Sequence, residues 1–338
     1  MKEENESLIS IVMPVKNAGL FLQECLKSIC NQTEQHWELF AVDDHSTDDS
    51  KIFLNEFAKQ DSRIGILSNN GSGIISALQT AYQATHGNFI HRMDADDVMP
   101  ENKLQVLKQL LLEKGKGHVA TGKVSYFSAD ELSDGFKKYE EWLNQLCENQ
   151  NHWNEIYKEC VVVSPCWMIF REDFEKCGGF NEETYPEDYD LIFRFYQSNY
   201  KVIASGETLH LWRDHGARAS RTLAQYQENG FFKLKVDYFI ELDYDKTRPL
   251  ILWGAGKKGK TVAKLLQQKQ IPFEWVSNNP NKHGKEIYNQ LMASFESILK
   301  KDNPQVIINV AQKKAKEEII DFLGRLNLKE AKDYWFFS

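Results

Sequence analysis

The sequence predicts an α/β chain of two domains, residues 1–242 around a mainly parallel sheet and residues 243–338 as a smaller α/β module. Three observations predict it. Short apolar runs rich in β-branched residues alternate with stretches of helical spacing over the first 93 residues. Polar and acidic residues gather directly after those runs, where an α/β sheet takes its ligands. A new strand, glycine turn and helix begins at Leu250, after the polar linker Asp243–Pro249.

Leu8–Met13 is short, apolar and ends at Pro14, which reads as a buried strand. Apolar positions from Leu20 to Ile29 recur at helical spacing. Trp37–Val42 is a second strand, closed by Asp43 and Asp44. A helix around Ser50–Ala58, a strand at Ile64–Leu67, a helix over Ile74–Ala84 and a strand at Asn88–Met93 continue the alternation. The strand ends are then Pro14-Val15-Lys16-Asn17, Asp43-Asp44 and Asp94-Ala95-Asp96-Asp97. Asp130–Glu159 reads as helical, anchored by Trp142 and Trp153. Tyr226–Tyr238 reads as a helix leading out of the first domain. Past the linker, strands are expected at Leu250–Trp253, Phe273–Val276 and Val306–Val310.

With 338 residues, 42% of them hydrophobic, the chain has apolar material for two cores. Moderate charge and 12% aromatic residues argue against a disordered chain. Six scattered cysteines, none in a Cys-x-x-Cys pair, read as reduced cytosolic thiols. The polar start Met1–Glu6 does not read as a signal peptide, and no apolar run reaches the roughly 20 residues of a membrane span. A cytoplasmic chain is expected, free or peripheral to the inner face of a membrane. The net charge of −8 conceals an asymmetry. Lys246–Ser338 holds 17 Lys and Arg against 9 Asp and Glu; the rest holds 24 against 40. A basic module attracts polyanions such as nucleotides, nucleic acid or anionic lipid, and a solvated lysine face has the same composition.

Asp94 and Asp96 sit two apart just after a strand, so in extended backbone both carboxylates address one site. Hard cations such as Mg²⁺ and Mn²⁺ take oxygen ligands and are commonly shared between carboxylates and phosphate oxygens. An isolated Asp-x-Asp pair is more often a solvated loop. Its place at a strand's carboxyl end gives it weight.

Four motifs in order, Ile11–Asn17, Val42–Asp48, Arg92–Asp97 and Pro186–Leu191, resemble the inverting family 2 glycosyltransferases over about residues 8–225. The resemblance implies the GT-A fold, a UDP-linked or similar nucleotide-sugar donor, and Mn²⁺ or Mg²⁺. By position it implies that the backbone of Pro14, Val15 and Lys16 frames the nucleobase, that Asp43 hydrogen-bonds it, and that Asp94 lies near the ribose. Asp96 would be the metal ligand, and Asp188 the general base that deprotonates the acceptor hydroxyl. Without the other motifs, Glu187, Asp188 and Asp190 are an acidic first helical turn that suits the helix dipole.

Leu211–Arg221 resembles the family's closing segment. His215 would complete the metal shell or touch the diphosphate, and Arg213, Arg218 and Arg221 would bind phosphate oxygens. His45 and His91 read as bystanders. Ser164, Pro165 and Trp167 read as core, or as a wall of the sugar or acceptor pocket. Two departures from the family pattern, Leu78-Gln79 for Leu-Asn and His45 for the glycine after Asp44, bear on donor choice. They leave the sugar open.

Gly254-x-Gly256-x-x-Gly259 follows a strand and opens a helix, the context of a dinucleotide fingerprint. The acid expected after the second strand is missing, since Trp275-Val276 leads into Ser277-Asn278-Asn279. A Rossmann-like module that binds another anion, or only docks on the first domain, fits better than an NAD site. Glu140–Leu146, Trp253–Gly259 and Lys332–Ser338 resemble the animal β-1,3-N-acetylglucosaminyltransferase-like group, also described as queuosine-tRNA galactosyltransferases. That resemblance implies a tRNA acceptor, which the basic tail suits. A glycan or glycoconjugate acceptor is the leading expectation. Two other classes stay open: an NAD-dependent oxidoreductase built on the tail, and a non-catalytic nucleotide-binding module, which would have no use for a base at Asp188.

Overall fold

The computed structural model describes residues 7–129, 131–181, 183–216, 218 and 228–338. They fall into two compact units, one within Met1–His152 and Val162–Thr222, the other within Trp153–Val161 and Leu223–Ser338.

In the first unit, β1 (Ile9–Val15), β2 (Trp37–Asp43), β3 (Ile64–Ser68) and β4 (Phe89–Arg92) pair in parallel in the order β3-β2-β1-β4. The helices α1 (Gly19–Cys30), α2 (Ser50–Gln60) and α3 (Ile74–Gln83) connect them. Ile9, Ile11, Val12, Met13 and Val15 of β1 are all buried, because helices cover both faces of a central parallel strand. Strand order reverses between β1 and β4, which opens a crevice at their carboxyl ends.

Past β4 the sheet becomes mixed. α4 (Lys103–Lys114) leads to β5 (His118–Phe127), and β6 (Trp167–Phe170) runs antiparallel between β4 and β5. β7 (Lys201–Arg213) pairs in parallel with β5 and completes the order β3-β2-β1-β4-β6-β5-β7. α5 (Asp134–Asn149), α6 (Arg171–Lys176) and α7 (Glu187–Gln197) fill the connections. The β5–β7 register shifts at Gly122/Lys123 and Lys123/Val124.

The first four strands lie where the apolar runs predict them. The helix expected over 130–159 is shorter. It stops at Asn149, where Gln150 turns left-handed (φ 53°) and its carboxamide pairs with the backbone of Ala204 on β7. Trp153 lies in a 3₁₀ turn that belongs to the second unit. There Tyr157 stacks on Phe337 with ring centroids 5.1 Å apart. All six cysteines are free.

The second unit holds α8 (Glu228–Leu242), β8 (Leu250–Trp253), α9 (Lys257–Gln268), β9 (Glu274–Ser277), β10 (Glu286–Ile287), β11 (Gln290–Ser294), β12 (Gln305–Ile308), α10 (Lys313–Arg325) and β13 (Tyr334–Phe336). Its sheet runs β10-β11-β9-β8-β12-β13, parallel except for the β10–β11 hairpin. Ile251, Trp253, Val276, Val306, Ile308 and Leu323 form its core. The helix expected from Tyr226 is described from Glu228 onward; its first two positions lie outside the described residues. Among the described residues no helix is long and apolar enough to cross a membrane.

Gly122 faces Leu209 so closely that a Cβ would stand 2.6 Å from Leu209 Cδ1. Gly122→Val is expected to cost about 1–3 kcal/mol by overpacking. Urea unfolding of the first unit would show it as a lower midpoint; an unchanged midpoint would mean that β5 and β7 can part there.

Candidate active site

β1 and β2 end side by side. Asp44 N donates to Val15 O at 2.8 Å, and Asn17 N donates to Ser46 Oγ at 3.0 Å. Asn17 turns left-handed (φ 51°), and its Oδ1 accepts from Thr47 N at 2.8 Å. The backbone of Pro14, Val15 and Lys16 and the turn at 43–47 therefore make one wall. Asp43 is buried in it, accepting from Ser46 N at 3.3 Å. Asp44 is the buttress. It accepts from Lys16 Nζ (3.0 Å), Asn69 Nδ2 (2.6 Å) and Gly73 N (3.1 Å). Burial alone would raise its carboxyl, but these donors outweigh burial and hold it below the usual range. His45 takes φ 59°, a conformation glycine enters freely, and its ring is held by Gly71 O at 2.8 Å.

On the other side of the crevice, Arg92 ends β4 and is 4% exposed. Its Nε donates to Asp94 Oδ1 at 3.0 Å and its Nη1 to Glu187 Oε1 at 3.2 Å. One guanidinium thus joins the acidic motif to the first turn of α7. That turn is acidic, as expected, and two of its carboxylates are paired: Glu187 with Arg92, and Asp190 with Arg194 Nε at 2.8 Å. Asp188 makes no ion pair among the described residues; its Oδ1 accepts from Tyr189 N at 2.7 Å. Burial first, then the charge of Glu187, push Asp188 up to about 7, against the pull of Arg92. Burial also raises Asp94, again opposed by Arg92. A carboxyl near neutrality in a cleft has the character of a proton acceptor.

Asp96 Oδ2 and His215 Nε2 lie 2.8 Å apart, both partly exposed. No group of three metal-binding side chains occurs among the described residues. A carboxylate and an imidazole at a strand end fit a hard cation that draws its other ligands from water and phosphate oxygens. Arg213 turns inward. Its Nε donates to Asp96 O at 2.7 Å and its Nη2 to Glu24 at 2.5 Å, with the rings of Phe21 and Phe127 on its faces. It braces the acidic turn. The Arg218 guanidinium lies 4.9 Å from the Trp212 ring centroid. Arg221 lies outside the described residues.

The sequence reading missed a buried chain of polar groups beneath the acidic turn. Lys103 Nζ, fully buried, donates to Pro165 O at 2.5 Å and to His210 Nδ1 at 3.2 Å. His210 Nε2 meets Asp97 Oδ2 at 3.1 Å, and Asp97 Oδ1 accepts from Arg213 N at 2.8 Å. Burial pushes Lys103 and His210 down, so the ring is neutral. With Lys103 donating to Nδ1, the ring proton sits on Nε2 and points at Asp97. A signal existed: Lys103 shares a helix face with Leu107 and Leu111 at spacings of four. Arg92, likewise missed, is the one arginine in a buried strand of four.

Of the remaining candidates, Trp167 is core, stacked on Phe174 at 5.8 Å, and His91 is buried with its ring on Trp167 O. Pro165 serves Lys103, and Ser164 is buried. Gln79 donates to Phe180 O at 2.8 Å.

The sequence profile described as Glycosyl transferase family 2 matches residues 10–178, half of the chain. The chain belongs to that family. This family 2 glycosyltransferase is 29% identical over 224 residues to glycosyltransferase GlyG of Streptococcus pneumoniae serotype 4, covering 64% of this chain and 73% of that one. It is similar in fold to S. aureus TarS 1–349 in complex with UDP-GlcNAc (TM-score 0.55, 14% identity, 76% of this chain and 71% of that). It spans 43% of a longer TarS chain. A third likeness is to the mannosyltransferase PcManGT from Pyrobaculum calidifontis with GDP-Man and Mn²⁺ (TM-score 0.50, 16% identity, 76% and 68%). The first unit is thus a GT-A fold, and the activity is glycosyl transfer.

His210→Leu would leave Lys103 and Asp97 buried without the ring that joins them. A loss of about 1–3 kcal/mol is expected. Denaturant unfolding measures it; a loss under about 1 kcal/mol would mean the chain carries no strain-bearing charge.

Proposed function

We propose that this chain moves a hexosyl unit, with inversion, from a UDP-sugar to a hydroxyl of a glycan or glycoconjugate. The observation that carries the reading is Asp188, raised to about 7 and free of any ion pair among the described residues, tied through Glu187 and Arg92 to Asp94. Asp43 and the backbone of Pro14, Val15 and Lys16 hold the uracil, and Asp94 the ribose. Asp96 and His215 would hold Mn²⁺ or Mg²⁺, which when bound neutralises charge on the leaving diphosphate. Arg213 keeps the backbone of Asp96 in place.

Asp188 takes the proton of the acceptor hydroxyl. That oxygen bonds the anomeric carbon while the carbon–oxygen bond to the diphosphate breaks, its electron pair leaving with the nucleotide. One displacement inverts the centre and needs one base. The UDP-GlcNAc in TarS and the Mn²⁺ in PcManGT support the donor and metal classes. A second reading, with a modified tRNA nucleoside as acceptor, is favoured by the 17 basic against 9 acidic residues from Lys246 onward.

Asp188→Asn is expected to lower kcat by about 10²–10⁴-fold while UDP binding persists. Only ionised Asp188 accepts a proton, so kcat/KM should fall about tenfold per pH unit below about 7. A flat profile down to pH 5 would remove Asp188 from the role. Asp96→Ala should abolish the thermal shift that Mn²⁺ adds to UDP-sugar binding; an undiminished shift would place the metal elsewhere. Filter binding of tRNA across a salt series separates the acceptors, since a steep loss with salt supports the tRNA reading and a flat, weak response discards it.

A further inference from the structure

The second unit has its own ligand-side crevice. β8 opens the unit's sheet and lies at its centre; β9 and β11 are laid to one side of it, and β12 and β13 to the other. Order therefore reverses between β8 and β12, the point at which doubly wound sheets take ligands. Two segments meet at that edge, the turn after β8 and Asn309 after β12, joined by Asn309 N donating to Trp253 O at 2.8 Å.

The three glycines of this turn answer to different demands. Gly254 has φ 124°, and a Cβ there would stand 2.4 Å from Asn309 O. A Cβ on Gly259 would stand 2.2 Å from Gly254 O. The chain itself requires both. Gly256 is another matter. Its φ of −78° and ψ of −174° suit any residue, and a Cβ there would meet nothing within 4 Å. It caps α9, a helix of 12 residues whose first amides have no intrahelical acceptor. Open space thus stands at the positive end of a helix.

Asn309 supplies the second mark. It is 6% exposed, and neither its Oδ1 nor its Nδ2 has a hydrogen-bond partner among the described residues. Its Cβ lies 3.7 Å from where a Gly259 Cβ would be, so the side chain springs from β12 against the first turn of α9. Buried carboxamides are otherwise paired. The turn's carbonyls, by contrast, are engaged: Gly254 O by Trp275 Nε1 at 2.8 Å and Ala255 O by Lys282 Nζ at 2.7 Å. With those oxygens capped and Gly254 N given to Val276 O at 3.0 Å, the turn meets an anion with the amides of Ala255 and Gly256. At the end of β9, Ser277 and Asn278 stand where a carboxylate would hold a ribose diol, and Asn278 is held by Trp253 Nε1.

We propose that the turn Gly254–Lys257, with Asn309 facing it, is a second ligand site that takes the phosphate of a nucleotide. It does not rest on the reading of the first unit.

Amide hydrogen exchange on the full chain, with ADP, UDP, NAD⁺ or inorganic phosphate as probes, tests it. Protection is expected in peptides spanning 254–262 and 306–312 with at least one nucleotide, separate from any at 41–47. Gly256→Val, which has room to fold, should remove protection at 254–262 and leave that at 41–47 with UDP. Asn309→Ala should weaken binding several-fold at unchanged circular dichroism. Protection confined to 41–47, no protection with any probe, or indifference to both variants would overturn the site. Inorganic phosphate protecting as strongly as the nucleotides would overturn the nucleotide assignment.

Discussion

Asp94, Asp96, Asp97, Glu187 and Asp188 crowd one edge of a sheet, and like charges in so small a space resist being held there. Arg92 makes the crowding tenable. Buried to 4% exposure at the end of β4, it donates to Asp94 and to Glu187, and so ties the strand that carries the acidic motif to the helix that carries the candidate base. A buried guanidinium shared between two carboxylates is held firmly, because its charge is out of water and depends on those partners. The arrangement also sets the chemistry. Arg92 pairs two acids and leaves the third, Asp188, to burial and then to the charge of Glu187, so its affinity for a proton rises.

A second cation acts from beneath. Lys103 reaches Asp97 through the neutral ring of His210, and Asp97 in turn holds the backbone of Arg213. Arg213 then grips the carbonyl of Asp96. Each link fixes the geometry of the next by hydrogen bonds buried from solvent. Two carboxylates, Asp96 and Asp188, stay partly exposed, the first beside His215 and the second in no ion pair among the described residues.

The parallel half of the sheet was legible because its strands are covered on both faces and so read as continuous apolar runs, as in Ile9–Val15. β7 was not legible. Only Leu209 and His210 of its thirteen residues are buried, and its exposed stretch Gly206–Thr208 carries no alternation to follow. The end of α5 was misplaced because a left-handed glutamine leaves no mark that composition can show. The acidic motifs stand out in sequence by spacing and position, and the family resemblance singled out Asp96, Asp188 and His215 as candidates. Their supports, Arg92, Lys103 and His210, carry a fainter mark, a polar residue at an apolar position of a strand or helix face, which a residue type common at the surface easily conceals. Arg213 shows the converse: a residue type that suits phosphate is turned inward by Asp96, Glu24 and two rings.

The chain departs from the crevice along α7 and comes back along β7, which ends two residues before His215. The candidate base and the candidate metal-side imidazole are therefore the two feet of one arch. The candidate nucleobase wall is built from other segments, β1 and β2. On the proposed roles, capture of the nucleotide and turnover of the sugar therefore draw on different stretches of sequence.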